Sequence, residues 1–137
     1  MPWCVPPCAR LTPAYKNLYI ETVADKPVAW LGSALADLRA FPADARRDAG
    51  FELRRVQQDL DPDDWKPMPS IGPGVREIRI HTGLEHRVFY VATFAEAVYV
   101  LHAFEKRTRK TPTHDVQLAQ DRLRALVNRR RTDASKK

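Results

Sequence analysis

Residues 74–112 read GVREIRIHTGLEHRVFYVATFAEAVYVLHAFEKRTRKTP, and this stretch decides the fold. From Val75 the period changes to two. Ile78 and Ile80 fall on one side and Glu77 and Arg79 on the other, as in a half-buried strand. Thr82-Gly83 turns the chain. Residues 87–94 and 98–104 are then dense in β-branched and aromatic side chains, with a short polar break between them, and read as the second and third strands of an antiparallel meander. At this spacing His102 shares a face with Val100 and Phe104, which suits a hydrogen-bonded core histidine. The third strand runs out into Lys106, Arg107, Arg109 and Lys110, a concentration of cations that is costly to assemble unless an anion arrives.

Upstream, the period changes to that of helices. Ser33 offers an N-cap, and Leu31, Leu35 and Leu38 recur at helical spacing until Phe41-Pro42. Ala45, Ala49, Leu53 and Val56 form the apolar stripe of a second helix over about residues 43–58, with Arg46, Arg47, Arg54 and Arg55 on its remaining surface. Residues 26–31, KPVAWL, suit a first or edge strand, where Pro27 is tolerated. Residues 59–73 hold four prolines and read as a long loop. Within it Trp65 has two readings, a base-stacking aromatic or a packing residue of the loop. Downstream, Thr111-Pro112 opens a final helix in which Val116, Ala119, Leu123, Leu126 and Val127 repeat at threes and fours.

The expected architecture is α+β, in the order β-α-α-β-β-β-α, with helices covering one face of a small, mostly antiparallel sheet and function on the uncovered face. The 137 residues suit one domain. We place it at residues 25–128, between a proline-rich extension at 1–24, which has room for a short strand over residues 15–21, and a basic tail at 129–137. No run approaches the roughly 18–20 apolar residues of a membrane helix, and the first residues lack the pattern of a signal peptide, so a cytoplasmic protein without membrane association is expected. Cys4 and Cys8 have neither redox nor zinc spacing and read as unpaired thiols.

Lys and Arg total 23 against 17 Asp and Glu, a net charge of +6. The excess is one-sided: residues 104–137 carry 11 basic and 4 acidic side chains, leaving 12 and 13 for the rest. Such a footprint attracts polyanions, and RNA, DNA, an acidic membrane surface or an acidic protein would each satisfy it. RNA can be cleaved without a metal when its own 2′-hydroxyl attacks the phosphate, provided the protein orients the attack, stabilises the added negative charge and assists proton transfer. Guanidinium groups suit the second task. Arg79 reads either as such a group or as the cross-strand partner of Glu77 or Glu85, and Arg87 either as an anion contact or as a solvated strand-end charge. His86, His114, Tyr90 and Lys66 are the polar candidates for proton transfer or RNA contact. No cluster of metal-ligand spacing occurs, and Gly72-Pro73-Gly74 is a turn rather than a phosphate loop.

Taken together, the succession LRRVQ at 53–57, DWKPMPSIG at 64–72, GVREIR at 74–79, RVFY at 87–90 and VYVLHAFEK at 98–106, followed by Thr111-Pro112, resembles the phage-derived branch of the RelE/HigB toxin superfamily over about residues 26–126. The resemblance implies a RelE-like fold and the toxin of a type II toxin-antitoxin system: a ribosome-dependent endoribonuclease that cuts mRNA without metal or other cofactor and so inhibits translation. It implies a HigA-like helix-turn-helix antitoxin as partner, beside mRNA on the ribosome. Matching motifs place Arg79, Arg87, Lys106 and Arg107 at the family's basic catalytic positions, with His86 or Tyr90 as proton-transfer candidates and Arg109, Lys110, Lys66 and His114 as further RNA contacts. The alternatives are a non-catalytic RNA- or ribosome-binding module of the same fold, and an antitoxin-docking protein without nuclease activity. The chain departs from the family pattern at His86, where an aromatic often stands, at Arg107, where Lys is frequent, and at Gln58-Asp59, which lacks a glycine often seen there.

Overall fold

The computed structural model describes residues 25–135. The extension at 1–24, its candidate strand, both cysteines and the last two lysines lie outside the described residues. The elements are β1 (Val28–Trp30), α1 (Ala34–Arg39), α2 (Ala43–Gln57), β2 (Trp65–Pro67), β3 (Val75–His81), β4 (Glu85–Val91), β5 (Val98–Glu105) and α3 (Thr113–Ser135). They build a five-stranded sheet in the order β1-β5-β4-β3-β2. Only the β1–β5 pair is parallel. The α+β class and the mostly antiparallel sheet are as expected.

The cover differs from expectation. α1 and α2 pack their stripe of Ala34, Leu38, Ala45, Ala49, Leu53 and Val56 onto Ile78, Ile80, Val88 and Val100. α3 packs Ala119, Leu123 and Leu126 onto Val75, Phe89, Val91 and Leu101 of the other face. β4 and β5 are apolar in consecutive positions, so both of their faces need cover. The uncovered surface is therefore the part of the α3-side face that α3 does not reach.

Three further departures bear on the site. The long loop contains β2, an edge strand that pairs Trp65 with Ile78 and Lys66 with Glu77. Its length of three residues and its terminal Pro67 hide it from pattern reading, since proline is tolerated only at such edges. The β4–β5 register slips between Phe89 and Tyr90: Phe89 pairs with His102 but Tyr90 with Val100, leaving Leu101 as the extra residue of a bulge. His102 consequently lies on the α3 face with Phe104, opposite to Val100, and not on one face with both. Finally, α3 continues to Ser135, through the arginines expected to form a solvated basic tail. Arg130 donates to Glu96 at 2.7 Å and lies over the Phe94 ring, which holds that turn to the β4–β5 connection.

The ends of elements are satisfied locally. Ser33 donates its hydroxyl to Asp37 at 2.8 Å instead of capping a backbone N–H of α1. The start of the sheet is tied down by Lys26, whose ammonium donates to the carbonyls of Ala92 and Phe94, and by Gln57, whose amide donates to the Lys26 carbonyl. Gly83 takes a φ of 97° in the β3–β4 hairpin, a conformation that a side chain disfavours.

Candidate functional site

On β3 the alternation that buries Ile78 and Ile80 against α2 turns Glu77, Arg79 and His81 to the α3 face. Arg87 of β4 stands directly across the ladder from Arg79, Phe89 from Glu77, and Lys66 of β2 from Glu77 on the other side. Two arginines side by side on one face repel, and Glu77 answers the repulsion from beneath. Its carboxylate Oε1 lies 3.7 Å from both the Arg79 Nε and the Arg87 Nε. Glu77 is fully buried, and at that separation it makes ion pairs but no hydrogen bond.

Arg87 is itself 4% exposed, a buried cation rather than a solvated strand end. Its guanidinium donates to Glu85 at 2.9 Å and to the His86 carbonyl at 3.1 Å. Arg79 is one-third exposed and approaches Asp64 at 4.0 Å. Arg79 pairs with Glu77 of its own strand and still reaches solvent. Lys106, whose N–H donates to the Glu85 carbonyl, completes the group. Burial lowers its pKa, and the nearby charges of Arg87, Lys66 and Arg79 lower it further against the opposing pull of Glu77. Lys66, Arg79, Arg87 and Lys106 thus share one electrostatic field around one carboxylate.

His81 extends this network to the rim. Its Nδ1 lies 2.7 Å from Glu85 and its Nε2 2.6 Å from Asp64. Hydrogen bonds to Glu85 and then Asp64 raise its pKa, and the His81 bond lowers that of Glu85. His81 and Glu77 are the residues that sequence reasoning passed over as participants. Their signal was present: both are in phase with Arg79 on the polar side of a period-two strand.

The other expected residues are placed elsewhere. His86 and Tyr90 are in phase with Val88 and point to the α1–α2 face, where both are 1% exposed. The His86 ring packs against Phe41 with centroids 4.3 Å apart, and burial lowers its pKa. Tyr90 lies in the apolar core near Arg76, and burial raises its pKa. Arg107 is exposed and pairs with Glu105 at 3.3 Å. Arg109 and Lys110 are exposed on the segment between β5 and α3, and His114 is exposed in the first turn of α3. Trp65 packs beneath the Arg76 guanidinium, 4.0 Å from its ring centre, which favours the packing reading. The His102 Nε2 donates to the Asp115 carboxylate of α3 at 2.6 Å, and the ring stacks on Phe104.

Among the described residues, no group of three or more His, Cys, Asp or Glu is arranged to hold a metal ion, and no helix is long and apolar enough to cross a membrane. The site is a cationic surface on a buried carboxylate, suited to an oxyanion such as a phosphodiester. Residues 36–124, which include every member of this cluster, match the family described as phage derived protein Gp49-like (DUF891). No curated protein matches the chain.

Proposed function

The chain belongs to the Gp49-like family of phage-derived proteins, a family of the RelE/HigB-like toxin superfamily associated with toxin-antitoxin modules, and from this we propose that it is the toxin of such a module. On this reading it is a cytoplasmic endoribonuclease that cuts mRNA on the ribosome without a metal, and a HigA-like helix-turn-helix antitoxin restrains it. The observation that carries the reading is the facing pair Arg79 and Arg87, anchored on buried Glu77 and flanked by Lys106.

Each residue then has a task. Arg79 and Lys106, the more accessible cations, take the non-bridging oxygens of the scissile phosphate, and Arg87 supplies fixed positive charge behind them. Glu77 holds the two guanidiniums in register before substrate arrives, so little reorganisation is left for the reaction. The RNA 2′-hydroxyl gives up its proton to solvent water as its oxygen forms a bond to phosphorus, the bond to the 5′-oxygen breaks, and a 2′,3′-cyclic phosphate remains. The lowered pKa of Lys106 suits it to deliver a proton to that departing oxygen. Lys66, Arg107, Arg109 and Lys110 contact the flanking backbone.

One observation favours a second reading, a non-catalytic RNA- or ribosome-binding module: His86 and Tyr90, the proton-transfer candidates of the sequence, lie on the far face of the sheet. Mapping mRNA 5′ ends after induced expression separates the two. Cleavage by the wild type that is lost in Arg79→Ala and in Lys106→Ala, with both variants folded, supports the nuclease. Uncut transcripts beside soluble wild-type protein that binds RNA in a salt-dependent way would establish the binding module instead.

A further inference from the structure

α3 is tied to the rest of the fold at two places, by the Gln120 amide, which donates to the Ser70 carbonyl at 2.7 Å, and by Arg130 on Glu96. Between these ties the helix rises about 15 Å. Along that length it does not close on the connection before β3 or the one between β4 and β5, and two clefts of about 430 and 320 Å³ adjoin there, sharing Pro73, Leu123 and Val127. The wall is preformed, because Leu123 lies so close against Gly72 that a side chain at that position would collide with it. The groove sits at the far end of the β3–β4 ladder from the cationic cluster. Gly74 and Thr93 border it beside the pair Val75 and Val91, whereas Arg79 faces Arg87 four residues along, about 13 Å away.

Shape and charge select the occupant. The floor is apolar, and the ionic side chains lining it are Arg124 and Arg131, two turns apart on one side of α3. Both are exposed. Arg124 shares Asp121 at 3.1 Å in open solvent, a weak tie, and Arg131 meets no carboxylate among the described residues. RNA fits badly, because bases stack on open aromatic faces. The aromatic ring at the groove, Phe94, has the Arg130 guanidinium 3.9 Å above it and Tyr99 packed at 5.8 Å. The chain's own extension at 1–24 carries two basic side chains to one acidic and lacks the matching charge. An amphipathic helix of about ten residues has the length, with apolar side chains at i, i+3 or i+4 and i+7 for the floor and carboxylates beside them for the arginines.

We propose that this groove docks an acidic amphipathic helix of a partner protein, its apolar side chains on Pro73, Leu123 and Val127 and its carboxylates on Arg124 and Arg131. The surface goes beyond the RNA-directed reading and stands apart from it, since a helix seated there leaves the cationic cluster open. The test selects binders of the full chain from a displayed library of random dodecapeptides and measures the best as synthetic peptides, with the methyl signals of Leu123 and Val127 marking the site. The selected peptides should carry carboxylates among apolar residues at helical spacing and should shift those methyls. Arg124→Glu combined with Arg131→Glu should weaken them about tenfold or more. Arg39→Glu combined with Arg47→Glu, the same change of charge on α1 and α2, should leave them bound. Selection of no peptide, equal loss in both charge-reversed pairs, or shifts that fall on the cationic cluster instead overturn the proposal. Displacement of the peptides by uridine RNA would give the groove to RNA, methyl signals of the free chain that move with protein concentration would give it to a second copy, and signals that move on Leu18→Asp with Ile20→Asp would give it to the extension; each of these also overturns it.

Discussion

Glu77 is where the chemistry of the site and its stability meet. The buried carboxylate of Glu77 compensates the charge of Arg87, which cannot reach water, and that of Arg79, which reaches it in part, and removing one buried partner of such a set strands the other. Glu77→Ala should therefore lower unfolding free energy by about 3–5 kcal/mol in urea titration. Adding Arg87→Met to that variant should recover much of the loss, and a lone Glu77→Ala as stable as the wild type would show that the carboxylate carries no structural charge. His81 acts at the rim and through pH. Its pKa is raised in the fold, so its contribution is complete below the unfolded value of about 6.5 and disappears as pH climbs through the folded one. Glu85, whose pKa is lowered, contributes above its unfolded value and loses that contribution as pH falls through the folded one. The stability difference between wild type and His81→Asn should be widest in mildly acidic buffer and should shrink toward alkaline pH. A difference that stays constant across that range would remove His81 from the network.

Among elements, the end of α2 accounts for one departure from the family pattern. Asp59 takes a φ of 65°, its N–H donates to the Val56 carbonyl, and the Leu60 N–H donates to the Arg55 carbonyl, which together make a Schellman cap. Glycine is the usual residue there, and Asp is one of the few others that tolerate the left-handed region. Asp59→Gly should raise stability by about 1 kcal/mol in denaturant titration, by relieving the Cβ strain. α3 has the opposite character, since its last turns are held by side chains rather than by an apolar stripe. The Arg130 guanidinium, followed by the Tyr99 hydroxyl, draws the Glu96 pKa down to about 2, so this tie persists above the ordinary carboxylate range and weakens only as pH falls toward that value. Arg130→Ala should speed amide hydrogen exchange after residue 128 while leaving the first turns of α3 protected; uniform protection would show that the helix end stands alone.

For the whole molecule, the charge excess of +6 is concentrated toward the end of the chain, and the fold carries part of it to the uncovered patch of the sheet. RNA binding should weaken steeply with salt. With about three or four phosphates neutralised, log affinity against log salt should slope at roughly −2 to −3. Arg79→Ala should make that slope shallower by somewhat less than one, read in the same titration. A slope near zero would mean that the cationic patch does not meet the phosphate backbone.

The chain by itself determined the α+β class, the meander and the stripe of α2, because period and residue type are local properties that each segment carries alone. The family matched over residues 36–124 lies in the superfamily that the sequence resembles. Only the tertiary structure decided which faces those strands present and to whom. Consecutive apolar residues in β4 and β5 conceal which side is which, and the bulge at Leu101 shifts His102 across the strand. His86 and Tyr90 turned inward because Phe41 and the α2 stripe lie above them, while Glu77 and His81 joined the arginines because β2 and β4 close on β3 from both sides. Strand pairing and helix packing join residues distant in sequence, and no local period can specify which partner arrives.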